Sequence, residues 1–161
     1  MNINLPQIIE DFKCIKYIDY NTKEFDFNKQ LGVSYEYKYK LENITIYIYN
    51  PYDNKQTPSN ENLLNEFNKA MRDIEYVYTL HGHNIINLTT PRTFFQLGDD
   101  YYPDILNKYY LLIKDNEELE SSVFLWRNEN NIIKIRYGVP KNYTDRKFYN
   151  LLLYMINKFK T

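Results

Sequence analysis

The sequence predicts an α+β domain, an antiparallel β-sheet with two main amphipathic helices packed on it. Residues 33–49 and much of 106–137 alternate between apolar and polar side chains, which is the period of half-buried strands. Two other segments, ending near His81 and Phe159, carry apolar side chains at helical spacing instead. The predicted order is β-β-α-β-β-β-β-α within a core of residues 33–160, and one domain is expected for residues 1–161.

Residues 1–32 are the least informative part of the chain. Their apolar side chains follow no clean period, so a short helix and an edge strand remain equally compatible with them. The clear pattern begins at Val33, where a hairpin is predicted. A two-residue turn at Glu42 and Asn43 aligns the apolar positions on one face and sets two pairs on the other, Lys38 beside Tyr47 and Glu36 beside Tyr49.

The first helix is predicted by a single apolar stripe. Ser59 or Asn60 can cap its N-terminus, and Gly82 follows its last periodic residue, where a left-handed residue is expected. Glu66 is predicted to lie outside the stripe. The stripe consists of Leu63, Leu64, Phe67, Ala70, Met71, Ile74, Val77, Tyr78 and His81.

Strands are predicted at residues 84–88, 106–114, 121–128 and 132–137, with an irregular loop over residues 91–103. In the last hairpin the parity assigns one set of side chains to the core and the alternate set to the outside. The core set is Phe124, Trp126, Ile133, Ile135 and Tyr137, and the outward set is Arg127, Lys134 and Arg136. Thr144 is predicted to cap a final helix whose buried stripe is Phe148, Leu151, Leu152, Met155, Ile156 and Phe159.

Composition excludes several classes of function. The 161 residues carry 20 Lys and Arg against 21 Asp and Glu, so no basic field indicates a nucleic-acid partner. Cys14 is the single cysteine, which excludes an internal disulfide and a cysteine-based zinc site. The longest apolar run, residues 151–156, is far below the roughly 18 residues of a membrane span. The N-terminus has no signal-peptide pattern, which predicts a soluble cytoplasmic chain, or a periplasmic or envelope one if Met1 replaces a removed signal peptide.

A degenerate motif carries a family resemblance. The segments Leu31-Gly32-Val33-Ser34-Tyr35 and Ile44-Thr45-Ile46-Tyr47-Ile48-Tyr49 resemble a "G-x-S-x-x-Y … V-x-V-Y-x-Y" hairpin of small bacterial proteins, in which an amphipathic helix follows. The later Lys134-Ile135-Arg136-Tyr137-Gly138-Val139-Pro140 strand and the closing helix fit the same pattern, and the element order resembles the Mog1/PsbP-like fold. That resemblance implies a mostly non-enzymatic group of accessory subunits, chaperones and a GTPase binder, and implies no specific binding residue.

One sheet surface is the leading candidate site. Tyrosine and arginine are enriched at protein interfaces, and the face opposite the predicted core combines them with lysine. Whether this face is free depends on the helices, which leave it open if both pack on the other side and cover it if they sandwich the sheet. The candidate partner-binding residues are Tyr47, Tyr49, Lys38, Arg127, Lys134 and Arg136.

The remaining chemistry-bearing residues have structural explanations. His81 and His83 are weak candidate metal ligands, with Asp99 or Asp100 as a third ligand, but a helix end accounts for the histidines and a turn for the carboxylates. No Ser/His/Asp or Cys/His arrangement and no glycine-rich phosphate loop is present. We therefore expect no enzyme activity, no cofactor and no metal.

Three hypotheses follow from the sequence. The first is a non-enzymatic accessory or adaptor domain that binds another protein, of chaperone or immunity type. The second is a small-ligand or metal-binding domain that uses the region of His83, Arg92, Asp99 and Asp100. The third is a homo-oligomeric structural protein that buries the sheet face against its own copy.

Overall fold

The computed structural model describes residues 3–52 and 56–160, and within these ranges nine strands form one antiparallel sheet with two α-helices. This confirms the predicted α+β class. The strands are β1 Ile8–Ile9, β2 Phe12–Asp19, β3 Val33–Tyr39, β4 Glu42–Tyr49, β5 Asn84–Asn87, β6 Arg92–Leu97, β7 Asp100–Lys114, β8 Glu117–Asn128 and β9 Asn131–Pro140. The helices are α1 Asn60–Leu80 and α2 Phe148–Lys158, and two 3₁₀ turns at Lys23–Phe25 and Lys29–Leu31 link β2 to β3.

The two helices lie on opposite faces of the sheet, whose strand order is β1-β2-β3-β4-β9-β8-β7-β5, with β6 also paired to β7. We name the faces after their helices. On the α2 face the rings of Tyr137 and Phe148 stack with centroids 4.0 Å apart, and the Trp126 indole N–H donates to the Phe159 carbonyl at 2.8 Å. All five core positions predicted in the last hairpin, and all six of the α2 stripe, are buried here.

The β3–β4 hairpin keeps the predicted faces but turns two residues earlier than predicted. Tyr39 pairs with Glu42 and Tyr37 with Ile44, so the turn is Lys40-Leu41, and the Glu42-Asn43 prediction is wrong. Because side chains alternate with a period of two, moving a turn by two residues preserves every inward and outward assignment. The hydrophobic pattern therefore could not distinguish the two registers.

Glu42 explains both the register and the start of α2. Its fully buried carboxylate accepts hydrogen bonds from the Tyr137 hydroxyl at 2.7 Å and from the backbone N–H groups of Lys147 at 2.9 Å and Phe148 at 3.1 Å. It thereby satisfies N–H groups that a helix N-terminus leaves without intrahelical partners. The predicted Thr144 cap is wrong, since α2 begins at Phe148 and is capped from a distant strand.

Local signals set both ends of α1. At the start, the Ser59 side chain accepts from the Asn62 N–H and the Asn62 side chain accepts from the Ser59 N–H, which is a capping box and confirms the predicted cap. At the end, Gly82 has φ +87°, and His83 N–H donates to the Tyr78 carbonyl at 2.9 Å. This is a Schellman motif, in which glycine supplies the left-handed residue.

The buried stripe of α1 differs from the prediction at its margins. Leu64, Val77 and His81 were expected inside but are exposed, Leu64 by 48% and Val77 by 40%. Glu66 was expected outside but is buried, because its carboxylate accepts from the Tyr49 hydroxyl at 3.1 Å and pairs with Lys69 at 3.2 Å. The buried residues of α1 are Leu63, Glu66, Phe67, Ala70 and Ile74.

Residues 91–103 form a hairpin rather than the predicted loop. Leu97 pairs with Asp100 across a Gly98-Asp99 turn in which Gly98 has φ +59°. Stacked ring pairs stabilise this ribbon, Phe94 with Tyr101 and Phe95 with Tyr102. The aromatic positions spaced across a Gly-Asp turn were the sequence signal for it.

The N-terminal segment forms the edge of the sheet, so the edge-strand alternative for residues 1–32 is the correct one over β1 and β2. Gly32 joins it to β3 with φ +63° and ψ −127°, a conformation that is essentially restricted to glycine. A Cβ at this position would collide with the Ile48 carbonyl oxygen. Among the described residues, no helix is long and apolar enough to cross a membrane.

Candidate functional site

The helix α1 covers only half of its sheet face. Its backbone approaches β5, β7 and β8, and its apolar stripe packs on Tyr110, Val123 and Leu125. The α1-face side chains of β2, β3 and most of β4 lie beyond the helix. We call this uncovered region, together with Lys134 and Arg136 on the adjoining strand β9, the open half-face.

Strand pairing arranges the open half-face in cross-strand rows. The register places Lys13 directly opposite Lys38, which is followed by Asn43 and then by Gly138. The next row is Lys16, Glu36, Thr45 and Arg136, and the one after it is Ile18, Ser34, Tyr47 and Lys134. Directly opposed like charges destabilise a sheet, so the Lys13–Lys38 pair contributes nothing favourable to the fold.

The open half-face is strongly cationic although the whole chain has a formal charge of −1. Lys13, Lys16, Lys38, Lys134 and Arg136 stand against the single carboxylate of Glu36. Within residues 3–52 and 56–160, none of these five cations has a carboxylate oxygen within 4.0 Å. The cations that do are Lys40, Lys69, Lys108, Lys141, Arg146 and Lys147.

Lys134 forms the border between the open half-face and α1. Its ammonium lies 4.4 Å from the Tyr47 ring centroid and 5.4 Å from that of Tyr49, so the two rings provide cation–π contacts. Burial and the nearby Arg136 guanidinium lower the pKa of Lys134 to about 8, although Asp73 of α1 acts in the opposite direction. Lys134 is therefore an incompletely neutralised cation held at the edge of the helix.

The structure divides the six predicted partner-binding residues. Lys38 is exposed, and Tyr47 and Arg136 are half-buried on the open half-face. Tyr49 is 8% exposed, because α1 covers it, and its hydroxyl donates a hydrogen bond to the Glu66 carboxylate. Arg127 lies near the start of α1 and donates to the Pro58 carbonyl at 2.8 Å. The predicted pairings of Lys38 with Tyr47 and of Glu36 with Tyr49 are wrong, since Lys38 lies opposite Asn43 and Glu36 opposite Thr45.

Sequence reasoning missed Lys13, Lys16 and Thr45 as members of this surface. The two lysines lie in β2, where the alternation is broken by a register shift between Cys14 and Lys16. Thr45 occupies an alternate position of the predicted strand at residues 44–49, and only the correct register brings it beside Glu36 and Arg136.

The candidate metal ligands do not converge. His81 caps α1, with its ring Nδ1 2.7 Å from the Val77 carbonyl, and the His83 ring contacts Tyr78 edge to face at 5.1 Å. Asp99 and Asp100 belong to the turn at the other end of β7, which is 15 residues long. A straight strand of that length spans roughly 45 Å. Within the described residues, no group of three or more His, Cys, Asp or Glu side chains is arranged to hold a metal ion.

A separate cavity of about 360 Å³ lies at the end of the sheet where β2 finishes. Its lining combines Asp19, Asn21, Lys29 and Asn131 with Tyr17. Arg92, which the second sequence hypothesis grouped with His83 and Asp99, borders a different cavity beside Tyr109. The small-ligand region predicted from sequence is therefore not one site.

Comparisons with protein-family models and with curated proteins gave no match. The resemblance to the Mog1/PsbP-like fold accordingly stays a prediction.

Proposed function

We propose that the protein is a non-enzymatic accessory or adaptor domain that binds an acidic surface of another protein through the open half-face. The main support is the group of five cations around Thr45 and Tyr47, none of which has an ion-pair partner within residues 3–52 and 56–160. Charges that are not paired within the fold remain available for a partner of opposite sign, and complementary charge gives both steering and specificity.

Self-association through the same surface is less well supported. A second copy that docked its open half-face against this one would bring two sets of Lys13, Lys38 and Arg136 together. Like charges placed opposite each other across a protein–protein interface cost several kcal/mol. We therefore propose a different, acidic protein as the partner, and mass measurement in solution distinguishes it from a homo-oligomer.

Charge reversal tests the proposal. The tagged wild-type chain and the Lys38→Glu/Arg136→Glu variant are used to capture proteins from cells, and each captured protein is then purified and rebound. The control is Arg72→Glu/Lys114→Glu, which makes the same change in net charge at exposed positions away from the open half-face. We expect the partner to bind wild type and control alike and to bind the first variant at least tenfold more weakly. Equal binding by the two variants would contradict the proposal.

A second candidate function is the binding of a small polar ligand in the 360 Å³ cavity. Its volume falls in the range of known ligand sites, and Asp19, Asn21 and Lys29 offer both donors and acceptors. A thermal-shift screen of metals and polar metabolites tests it, since a ligand at a hundred times its dissociation constant adds about 2.7 kcal/mol. A ligand that stabilises the wild type but not Asp19→Asn would support binding in the cavity. A screen in which no compound raises the unfolding temperature would count against it.

A further inference from the structure

We infer that the acidic partner inserts an extended segment as an additional strand along the free edge of β2. This inference depends on the proposed function and specifies how the partner binds. Strand addition takes its affinity from main-chain hydrogen bonds and its specificity from alternate side chains.

Strand β1 covers the start of the outer edge of β2. Strand β1 is two residues long and pairs with Phe12 and Lys13. The Cys14 N–H donates to the Gln7 carbonyl at 2.8 Å, and the Gln7 side-chain amide donates to the Cys14 carbonyl at 2.7 Å. Among the described residues, no strand pairs with the outer edge of β2 after Cys14.

Along the rest of β2, alternate backbone groups point away from β3. Tyr20 N–H donates to the Gly32 carbonyl at 3.0 Å, which fixes the alternation of the β2–β3 ladder. The backbone N–H and C=O groups of Ile18 therefore point toward β3, whereas the N–H groups of Tyr17 and Asp19 point to the free edge. The Asp19 carbonyl already accepts from the Thr22 hydroxyl at 3.2 Å. The Tyr17 N–H and C=O and the Asp19 N–H are thus the groups that an added strand would engage.

Side chains along the edge indicate what that strand contains. Lys16 is exposed on the α1 face of this free stretch, and Lys13, in the part that β1 covers, lies on the same face beside Lys38. Tyr17 is 50% exposed on the α2 face, where the centroids of its ring and the Tyr35 ring lie 4.9 Å apart. The matching segment alternates acidic side chains toward the lysines with apolar side chains toward Tyr17.

The same lysines argue against a second copy of this chain at the edge. Edge strands commonly carry lysine because it prevents pairing with an identical edge. An acidic segment is attracted by the charges that repel a second β2. The occupant that the edge favours is therefore an acidic, extended segment of another protein.

The test uses a defined probe. An eight-residue peptide of alternating Glu and Val is titrated into the full chain by NMR, with an alternating Lys and Val peptide as the charge control. We expect the Glu-Val peptide to bind and to slow hydrogen exchange of the Tyr17 and Asp19 amides at least tenfold, and the Lys-Val peptide to do neither. Absence of binding would overturn the inference, and so would binding without protection of these two amides.

A pair of variants separates strand addition from docking on the face. Tyr17→Pro removes an N–H that lies outside the β2–β3 ladder, and proline is tolerated at such an edge position. Tyr17→Ala removes the same side chain but keeps the N–H. We expect Tyr17→Pro to weaken peptide binding at least tenfold and Tyr17→Ala about threefold or less.

Two outcomes together would overturn strand addition and leave the proposed function intact. The Glu-Val peptide would bind Tyr17→Pro as it binds the wild type, and it would no longer bind Lys38→Glu/Arg136→Glu. Unchanged binding in both variants would overturn both. The amide-exchange result is obtained on the wild-type chain, so it stands even if Tyr17→Pro fails to fold.

Discussion

The ammonium of Lys134 lies 4.4 Å from the centre of the Tyr47 ring, and the two residues are cross-strand partners on β9 and β4. This pair marks the line along which the helix α1 stops covering the sheet. On one side of it Tyr49 is buried against Glu66, and on the other side Lys38 and Thr45 belong to the open half-face. Within the single strand β4, therefore, some side chains pack against α1 and others belong to the open half-face.

The half-buried position of Lys134 predicts a pH-dependent stability. Its pKa is lowered from 10.5 to about 8, so the unfolded chain binds more protons than the folded chain between these values. The free energy of unfolding should rise with pH across this window, by roughly 3 kcal/mol at most. Urea unfolding of the wild type at pH 7.5 and 9.5 should show the rise, and Lys134→Met should lack it. The same pH dependence in both proteins would contradict the effect of burial.

Glu42 predicts an unusually large loss of stability for a single carboxylate. Glu42→Ala leaves the N–H groups of Lys147 and Phe148 and the Tyr137 hydroxyl without their acceptor. Each buried orphan costs about 1–3 kcal/mol, so we expect a loss of about 3 kcal/mol or more. Thr144→Ala is the matched control, because Thr144 is exposed and does not cap α2, and it should stay within about 0.5 kcal/mol of wild type. Comparable losses in the two variants by urea unfolding would show that the cap is assigned incorrectly.

The two glycines Gly32 and Gly98 predict different costs for the same substitution. Both have positive φ, but an added Cβ meets different surroundings at the two positions. At Gly32 it would collide with the Ile48 carbonyl, whereas at Gly98 no atom lies within 4 Å of it. Gly98→Ala should cost about 1–2 kcal/mol for the left-handed conformation alone. Gly32→Ala should cost several kcal/mol or prevent folding, as thermal unfolding would measure. A Gly32→Ala chain as stable as Gly98→Ala would contradict the close approach.

Tyr47 and Tyr49 predict a division between binding and stability. Tyr47→Ala removes a side chain of the open half-face and should weaken binding of the acidic partner or of the Glu-Val peptide. Tyr49→Phe removes only a hydroxyl that donates to Glu66, and it should lower stability by about 1 kcal/mol without changing affinity. Calorimetric titration and urea unfolding of both variants check this. If Tyr49→Phe reduced affinity as much as Tyr47→Ala, the boundary at Lys134 would be misplaced.

Local patterns predicted much of this fold. The alternation in β4, β8 and β9 placed the core residues correctly, and the capping residue Ser59 and the terminating Gly82 set the ends of α1. These features depend on neighbours in sequence. Properties that depend on distant partners were predicted wrongly, such as the role of Glu42, which is set by α2 more than 100 residues away.

The candidate site was only partly accessible to sequence reasoning for the same reason. Parity put Tyr47, Lys134 and Arg136 on one face, but it carried no information on how far α1 extends across that face. Glu66 illustrates the limit, since its burial follows from the tertiary contact with Tyr49 and runs against its polarity. The break in periodicity at Cys14 likewise concealed Lys16.

Site-specific photo-crosslinking tests whether the partner contacts the open half-face. In one variant a photoreactive amino acid replaces Thr45, which lies between Glu36 and Arg136 on the open half-face. In a second variant it replaces Tyr76, which is 69% exposed on α1. With the partner identified by capture, we expect a crosslink from position 45 to an acidic segment of that partner, and none from position 76. Crosslinks from position 76 alone would contradict binding through the open half-face.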